Sequence, residues 1–526
     1  MTLSTSTVTL APGNSRTYTL APGEAVTVAT EPNCYVTITE TPDVITSADL
    51  DGQTNVRTSI LQYKGEWTYG PYALGGTVAV AVSLSKSTSS VSVTLGSSAA
   101  AVVGAAGSPR RDGRILLFGD SQVDRDWLTT AGEFSNVGYG IINHANIFGG
   151  RRWEIVANLG VTGDTTDGMI ARLPAALIAA ASCGAVVISA STNGIFGDLR
   201  TADYEIANLT TIFRAFMNIG VYVIWKNETP RTFIDATKVQ YQIKVNSWAN
   251  EFERDNPGFS VFDAASVIVN ATSTQFAPKS GYLDGAVHFK NVAACLLGKA
   301  FSDKYSPMFL PRSNLICTAA DAYTVDASSS QVWGNPLFSG TGGQKTNTAG
   351  GTAPTGTVGD LTQVDHASNT AATCTCSLVS QADGFGQAQR IVIANAGNND
   401  RWTVRNITNI TAGVSPGDLI ELECDIRVSS HSELVGLPVF LQVQTDGGTI
   451  NYSYDNRHDG AAAAYTSAFV GGSFRTRRLR IPAGSAITAL QWRVEPRFSA
   501  TSTTGGATID VSRLSIRNLT RLGLDV

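Results

Sequence analysis

The sequence predicts a multidomain chain: an N-terminal all-β domain, a central α/β domain on a parallel sheet, and a C-terminal β-sandwich. Three observations predict it. At 526 residues the chain exceeds one ordinary domain, and about three are expected. The hydrophobic pattern changes twice, near residue 112 and again near residue 310. The charged fraction, 15%, lies well below the roughly 25% of average proteins. Gly, Ser, Thr and Ala fill the gap, which suits extended strands with polar loops.

Residues 1–100 read as short strands. TVTLAPG, YTLAPG, EAVTVAT, YVTITET, TVAVAVSLS and SVSVTLG alternate apolar and polar residues between Pro-Gly, Asn and Gly breakers. Their spacing suits a small β-sandwich or barrel, and nothing in it resembles a catalytic motif. A linker without period follows at roughly 97–112. The second domain, 112–306, has strand-length apolar runs at RILLF, WEIVAN, AVVISA, VYVIW and FSVFD. Helical patterns lie between them (MIARLPAALIAAA, DYEIANLTTIFRAFMNIG, ATKVQYQIKVNSWANEFERD), and NVAACLLGKAFSDKY supplies the last helix. Strands apolar nearly throughout, alternating with amphipathic helices, indicate a parallel sheet covered on both faces. The third domain, 325–526, returns to alternating strands such as LIELECDIRV, PVFLQVQT and ALQWRVEPRF. It is entered through the Gly/Thr-rich stretch SGTGGQKTNTAGGTAPTGTVGD, and its pattern suits a sandwich of the jelly-roll kind.

Composition excludes several classes. A net charge of −5 without a basic block leaves no electrostatic footprint for nucleic acid. No stretch is long and apolar enough to span a membrane. The N-terminus MTLSTSTVTLAPGNS has neither a basic leader nor an apolar core, so synthesis in the cytoplasm without a signal peptide is expected. Seven cysteines, at 34, 183, 295, 317, 374, 376 and 424, are odd in number and scattered, which argues for free thiols. Cys374-Thr-Cys376 lacks a second ligand pair, so no metal is expected.

In a parallel α/β sheet, ligands sit at the carboxyl ends of the strands, and four polar segments fall there. RILLF runs into Gly119-Asp120-Ser121-Gln122, where a serine at a strand-to-helix corner would expose its Oγ. The plain alternative is that Asp120 and Ser121 only cap the next helix. The second strand leads into Asn158-Leu-Gly160-Val-Thr-Gly163-Asp164-Thr165-Thr166, where Gly163 can offer its N–H and the following residues can cap a helix. The third leads into Ser191-Thr192-Asn193-Gly194, where an Asn amide is a further donor. Tyr282-Leu283-Asp284-Gly285-Ala286-Val287-His288 precedes the last helix.

With Ser121, Gly163, Asn193 and His288 in this order, residues 112–306 resemble the SGNH hydrolases, the GDSL esterase superfamily. The stretch from Gly163 to Pro174 is similar to the small bacterial thioesterase and lysophospholipase members. The resemblance implies a flavodoxin-like three-layer α/β/α fold and a carboxylic ester hydrolase. Ser121 would be its nucleophile, His288 its base and Asp284 the acid that orients His288. The N–H groups of Ser121 and Gly163 and the amide of Asn193 would form the oxyanion hole. No cofactor is implied. Two departures stand out. The family usually spaces its acid and base as Asp-x-x-His, whereas here Asp284 and His288 are four apart. A helical turn would still bring i and i+4 together; otherwise Asp263, ending FSVFD, is the rival acid. Gly194 stands where many members carry Asp. Of the two histidines in this domain, His144 in GIINHANIFGG reads as a packed residue.

The flanks suggest a setting. Asn335-Pro-Leu-Phe-Ser-Gly-Thr-Gly-Gly343 resembles the start of carbohydrate-binding-like jelly-roll modules beside phage and bacterial SGNH domains. The expectation is a phage tail fibre or tailspike esterase that removes O-acetyl groups from host cell-surface polysaccharide and acts outside the cell. Its N-terminal domain would attach it to other virion proteins or hold a homo-oligomer, such as a trimer, together. An inactive receptor-binding virion protein and an intracellular thioesterase or lysophospholipase are the alternatives. Trp402, Tyr452, Tyr454 and Trp492 could stack on sugars but read more simply as sandwich core.

Overall fold

The computed structural model describes eight N-terminal strands by their backbone, and residues 112–526 apart from 131–132, 233–234, 274, 310–330, 383, 458–462 and 525–526. Cys34, Cys317 and most of the linker expected at 97–112 lie outside these residues. The chain divides into two compact units, Met1–Ser108 and Pro109–Val526.

In the first unit the described strands form two four-stranded antiparallel sheets. Ser6–Leu10, Val91–Ser97, Glu24–Thr30 and Gly65–Tyr69 make one. Ser15–Leu20, Val78–Ser85, Tyr35–Pro42 and Arg57–Leu61 make the other.

The second unit begins with a five-stranded parallel sheet: β1 Arg114–Gly119, β2 Glu154–Gly160, β3 Ala185–Ser189, β4 Tyr222–Lys226 and β5 Phe259–Phe262, in the order 2-1-3-4-5. Alternate residues of one strand enter different cores because strand side chains point to opposite faces. Leu116 and Phe118 pack with the helices Thr166–Ala180, Ala202–Asn218 and Ala236–Asp255. Ile115 and Leu117 pack with Ile141–Gly149 and Asn291–Tyr305 on the other side. Helices on both faces explain why four of the five strands are buried almost throughout. The edge strand β2 departs from that expectation: it is half-buried along its whole length. The helix Ile141–Gly149 was not among the expected ones; it is only nine residues long, shorter than the helical patterns that stood out, and nearly every residue in it is buried.

The C-terminal residues form two sheets that share one core. Trp402, Val443 and Trp492 enter it from one sheet, Ile391, Cys424 and Ile509 from the other. The first sheet does not end within the C-terminal segment. A hairpin of Trp127–Thr130 and Glu133–Val137, inserted just after β1, extends it, with Glu133–Val137 lying parallel to Ile450–Arg457. Arg151 and Asp455 form a buried ion pair beside this junction. Asn291, the first residue of the last α/β helix, donates to the carbonyls of Val435 (2.8 Å) and Ala463 (2.7 Å) and accepts from the Ala463 N–H (2.8 Å). The α/β layers and the sandwich are therefore joined by sheet, charge and hydrogen bonds three residues from His288.

Candidate active site

The carboxyl ends of β1, β2 and β3 converge where the sheet order reverses, between β1 and β3, the position at which such sheets bind ligands. The Asp120 N–H donates to the Ser189 carbonyl (3.1 Å), and the Val161 N–H to the Gly119 carbonyl (2.9 Å). Asp120 caps the short helix Ser121–Asp124 by accepting from the Gln122 N–H at 2.9 Å. The capping reading of this tripeptide thus holds for Asp120. It does not exhaust Ser121, whose Oγ lies 2.9 Å from His288 Nε2. That pair spans 167 positions of sequence.

His288 sits on a hairpin. Leu283–Asp284 pairs antiparallel with His288–Phe289, so that Asp284 stands directly opposite His288. The helical turn that would bring positions i and i+4 together is not adopted, because Gly285 takes a left-handed φ of 63° and turns the chain back on itself. Two donors hold the turn: Gln122 Nε2 to the Val287 carbonyl (3.0 Å) and the Thr232 N–H to the Ala286 carbonyl (3.1 Å). Asp284 is half-exposed, with its carboxylate 3.5 Å from Arg125 Nη2. Among the described residues the His288 ring has one hydrogen bond, to Ser121. Burial first, then the nearby Arg125 and Arg231 charges, push His288 below its ordinary 6.5, while Asp284 opposes them. The imidazole is therefore neutral near pH 7 and able to accept a proton. The rival Asp263 is engaged elsewhere. It caps Ala264–Ile268 through the Ser266 N–H (3.2 Å) and accepts from Asn227 Nδ2 (2.8 Å).

The candidate donors lie on the segments that follow β1, β2 and β3. The Ser121 N–H begins a helix and, like the Gly163 N–H, has no partner among the described hydrogen bonds. Gly163 has φ 82°, and a Cβ there would meet nothing within 4 Å. A side chain there is disfavoured by backbone conformation, not by space. Asn193, in the helix Thr192–Phe196, spends one amide hydrogen on the Asp164 carbonyl (2.8 Å), and its second has no partner among the described hydrogen bonds. Thr165 caps the helix Thr166–Ala180. Arg172 of that helix ties the corner together, donating to the carbonyls of Leu159 (2.8 Å) and Gly119 (3.4 Å) and pairing with Asp164.

Beneath the corner lie three buried charges, Asp120, Lys226 and Glu228. Burial raises both carboxyls, Glu228 to about 7, and the Lys226 charge works against that rise. Thr192 Oγ1 donates to Glu228 at 2.6 Å, which anchors the Asn193 segment to the end of β4. Sequence reading missed Gln122, Arg125, Arg172, Lys226 and Glu228; the partner of Gln122 lies 165 positions away and that of Glu228, Thr192, lies 36 away. His144 is fully buried and bonds the Gly138 carbonyl at 2.8 Å, the packed role expected of it. Trp402 and Trp492 are buried core residues; Tyr452 and Tyr454 are half-buried and stacked on one another. Among the described residues no cluster of three or more His, Cys, Asp or Glu could hold a metal ion.

No family model matches the chain, and no curated protein does. Solved structures similar to it include a lipase/acylhydrolase from Enterococcus faecalis (21% identity, 38% of this chain and 98% of that one, TM-score 0.30). A GDSL-like lipase from Bacteroides thetaiotaomicron matches at 15% identity over 37% and 88%, TM-score 0.30. A variant of an acetyl-xylooligosaccharide esterase from Geobacillus Stearmophilus matches at 18% identity over 36% and 92%, TM-score 0.29.

Proposed function

We propose that this chain is a serine ester hydrolase of the SGNH type that removes O-acetyl groups from cell-surface polysaccharide. The observation that carries the reading is the 2.9 Å approach of His288 Nε2 to Ser121 Oγ at the end of β1. Ser121 Oγ attacks the acetyl carbonyl as His288 takes its proton, and the carbonyl oxygen becomes an oxyanion. The N–H groups of Ser121 and Gly163 and the second amide hydrogen of Asn193 stabilise that charge. Each such donor contributes about a hundred- to a thousandfold in rate. Collapse expels the sugar alkoxide, which receives the proton from His288 and leaves an acetyl-Ser121 ester. Water, deprotonated by His288, then attacks this ester; acetate is released as the Ser121 Oγ–acyl bond breaks and His288 returns the proton to Oγ. Asp284 acts as the acid of the site by favouring the imidazolium electrostatically, and the hairpin positions the ring. No step requires a metal.

The setting we propose is a phage tail fibre or tailspike, with the C-terminal jelly roll presenting polysaccharide and the N-terminal domain attaching or oligomerising the chain. Support for it comes from the two β-rich flanks and the segment Asn335–Gly343. The test compares the wild type with Ser121→Ala and His288→Ala on an aryl acetate and on acetylated polysaccharide. Acetate release lost in both variants supports the reading. Hydrolysis that persists in either variant contradicts it, and cleavage of long acyl chains without acetate release contradicts the substrate.

A further inference from the structure

The helix Ala202–Asn218 buries a carboxylate, Glu205, that is wholly inaccessible to solvent. Burying a carboxyl is unfavourable unless its partners repay it, and this one has a specific pair of neighbours. Its Oε2 accepts from Thr166 Oγ1 at 3.0 Å. Thr166 opens the helix that follows the Gly163 loop. Its Oε1 fills the space beside Gly194: a Cβ on that glycine would lie 2.0 Å from it. Gly194 directly follows Asn193. Ser191 holds a left-handed φ of 85°, a conformation that a non-glycine residue keeps only where its surroundings enforce it. Glu205 is thus wedged between the segment that carries Asn193 and the segment that carries Gly163. On the other side those segments are joined by the Asn193 amide and the Asp164 carbonyl (2.8 Å).

We propose that Glu205 is a positioning residue for the oxyanion donors: its carboxyl sets the spacing between the Asn193 amide and the Gly163 loop. The absence of a side chain at position 194 is what admits it. The charged groups acting on Glu205 are Glu228, from the end of β4, and Asp167, from the Thr166 helix, itself paired with Arg200 at 3.1 Å. Both are acidic and favour the neutral carboxylic acid. A neutral glutamine should therefore reproduce most of its role, and an alanine none of it. Gly194→Ala should act like removal of Glu205, by displacing its carboxyl.

This inference rests on the esterase reading, and the experiment separates the two. Steady-state hydrolysis of an aryl acetate is measured for the wild type, Glu205→Ala, Glu205→Gln, Gly194→Ala and the double variant Gly194→Ala/Glu205→Ala, with thermal unfolding of each. Hydrolysis by the wild type and none by Ser121→Ala secures the parent reading; an inactive wild type sinks that reading by itself. The expected pattern is a kcat lower by about 10- to 100-fold in Glu205→Ala with KM little changed, the signature of a contact felt in the transition state. Glu205→Gln restores most of kcat. Gly194→Ala matches Glu205→Ala, and the double variant is no worse than either. With the wild type active, a Glu205→Ala kcat within twofold of wild type, whatever its unfolding temperature, overturns the proposal. Losses that multiply in the double variant overturn it too.

Discussion

Replacing Gln122 by methionine removes the side-chain bond that joins the Ser121 helix to the turn before His288 while keeping nearly the same volume. The bond runs from Nε2 to the Val287 carbonyl at 3.0 Å, and Gln122 is buried. A buried hydrogen bond contributes about 1 kcal/mol net, and a carbonyl left without its partner costs about 1–3 kcal/mol. We expect Gln122→Met to lose about 2 kcal/mol of stability in chemical denaturation. The kinetic effect should be larger than that bond suggests. The His288 ring has one described hydrogen bond, so its place depends on the hairpin. A displacement of about 1 Å costs on the order of 100-fold in rate. The assay is kcat/KM on an aryl acetate at a pH where His288 is neutral, with the expected loss between about 10- and 100-fold. A variant that is destabilised yet retains kcat/KM within twofold would refute the claim that this clamp holds the base.

Other predictions follow from the charges. Catalysis needs neutral His288, so kcat/KM should rise with pH through a limb below the ordinary 6.5. Arg125→Ala removes a cation that disfavours the imidazolium and should move the limb to higher pH; Asp284→Asn removes its stabiliser and should move it lower. Limbs that shift in the same direction in both variants would contradict these assignments. Burial raises Glu205 from 4.5 to about 7 in the folded chain. The folded state therefore holds this proton more tightly, and the stability it confers is complete below pH 4.5 and lost as pH rises through 7. Glu205→Gln lacks this loss, so its stability relative to the wild type should improve by about 3 kcal/mol between pH 4 and pH 8. A pH-independent difference in denaturation would exclude it. Asn291→Ala strips three hydrogen bonds between the last α/β helix and the sandwich. It should cost about 2–4 kcal/mol of stability, and a change below about 0.5 kcal/mol would show that this junction is not needed.

What could be read from sequence was local. The parallel sheet announced itself through runs such as RILLF and AVVISA, whose residues are all buried or nearly so. Ser121, Gly163 and Asn193 were findable because strand ends mark where such a sheet gathers its polar groups. The edge strand β2 misled, since an apolar run does not reveal which strand lacks a neighbour. The hairpin Trp127–Val137 gave no sign that its partner lay more than 300 positions away, at Ile450–Arg457. The Asp284–His288 interval left a helical turn open as one possibility, but Gly285 and the donors Gln122 and Thr232 make it a hairpin. Glu205 was not singled out: it is one of two acidic residues in the first turn of its helix, where carboxylates suit the helix dipole. Only the packing of Gly194 and Thr166 against it shows otherwise.

The central claim is that Ser121 is a nucleophile activated by His288. Labelling with a fluorophosphonate, followed by peptide mass analysis, tests it most directly. The account predicts one phosphonylated site, Ser121, in the wild type, with labelling slowed by orders of magnitude in His288→Ala and absent in Ser121→Ala. Labelling of another residue, or an unchanged rate in His288→Ala, would contradict it.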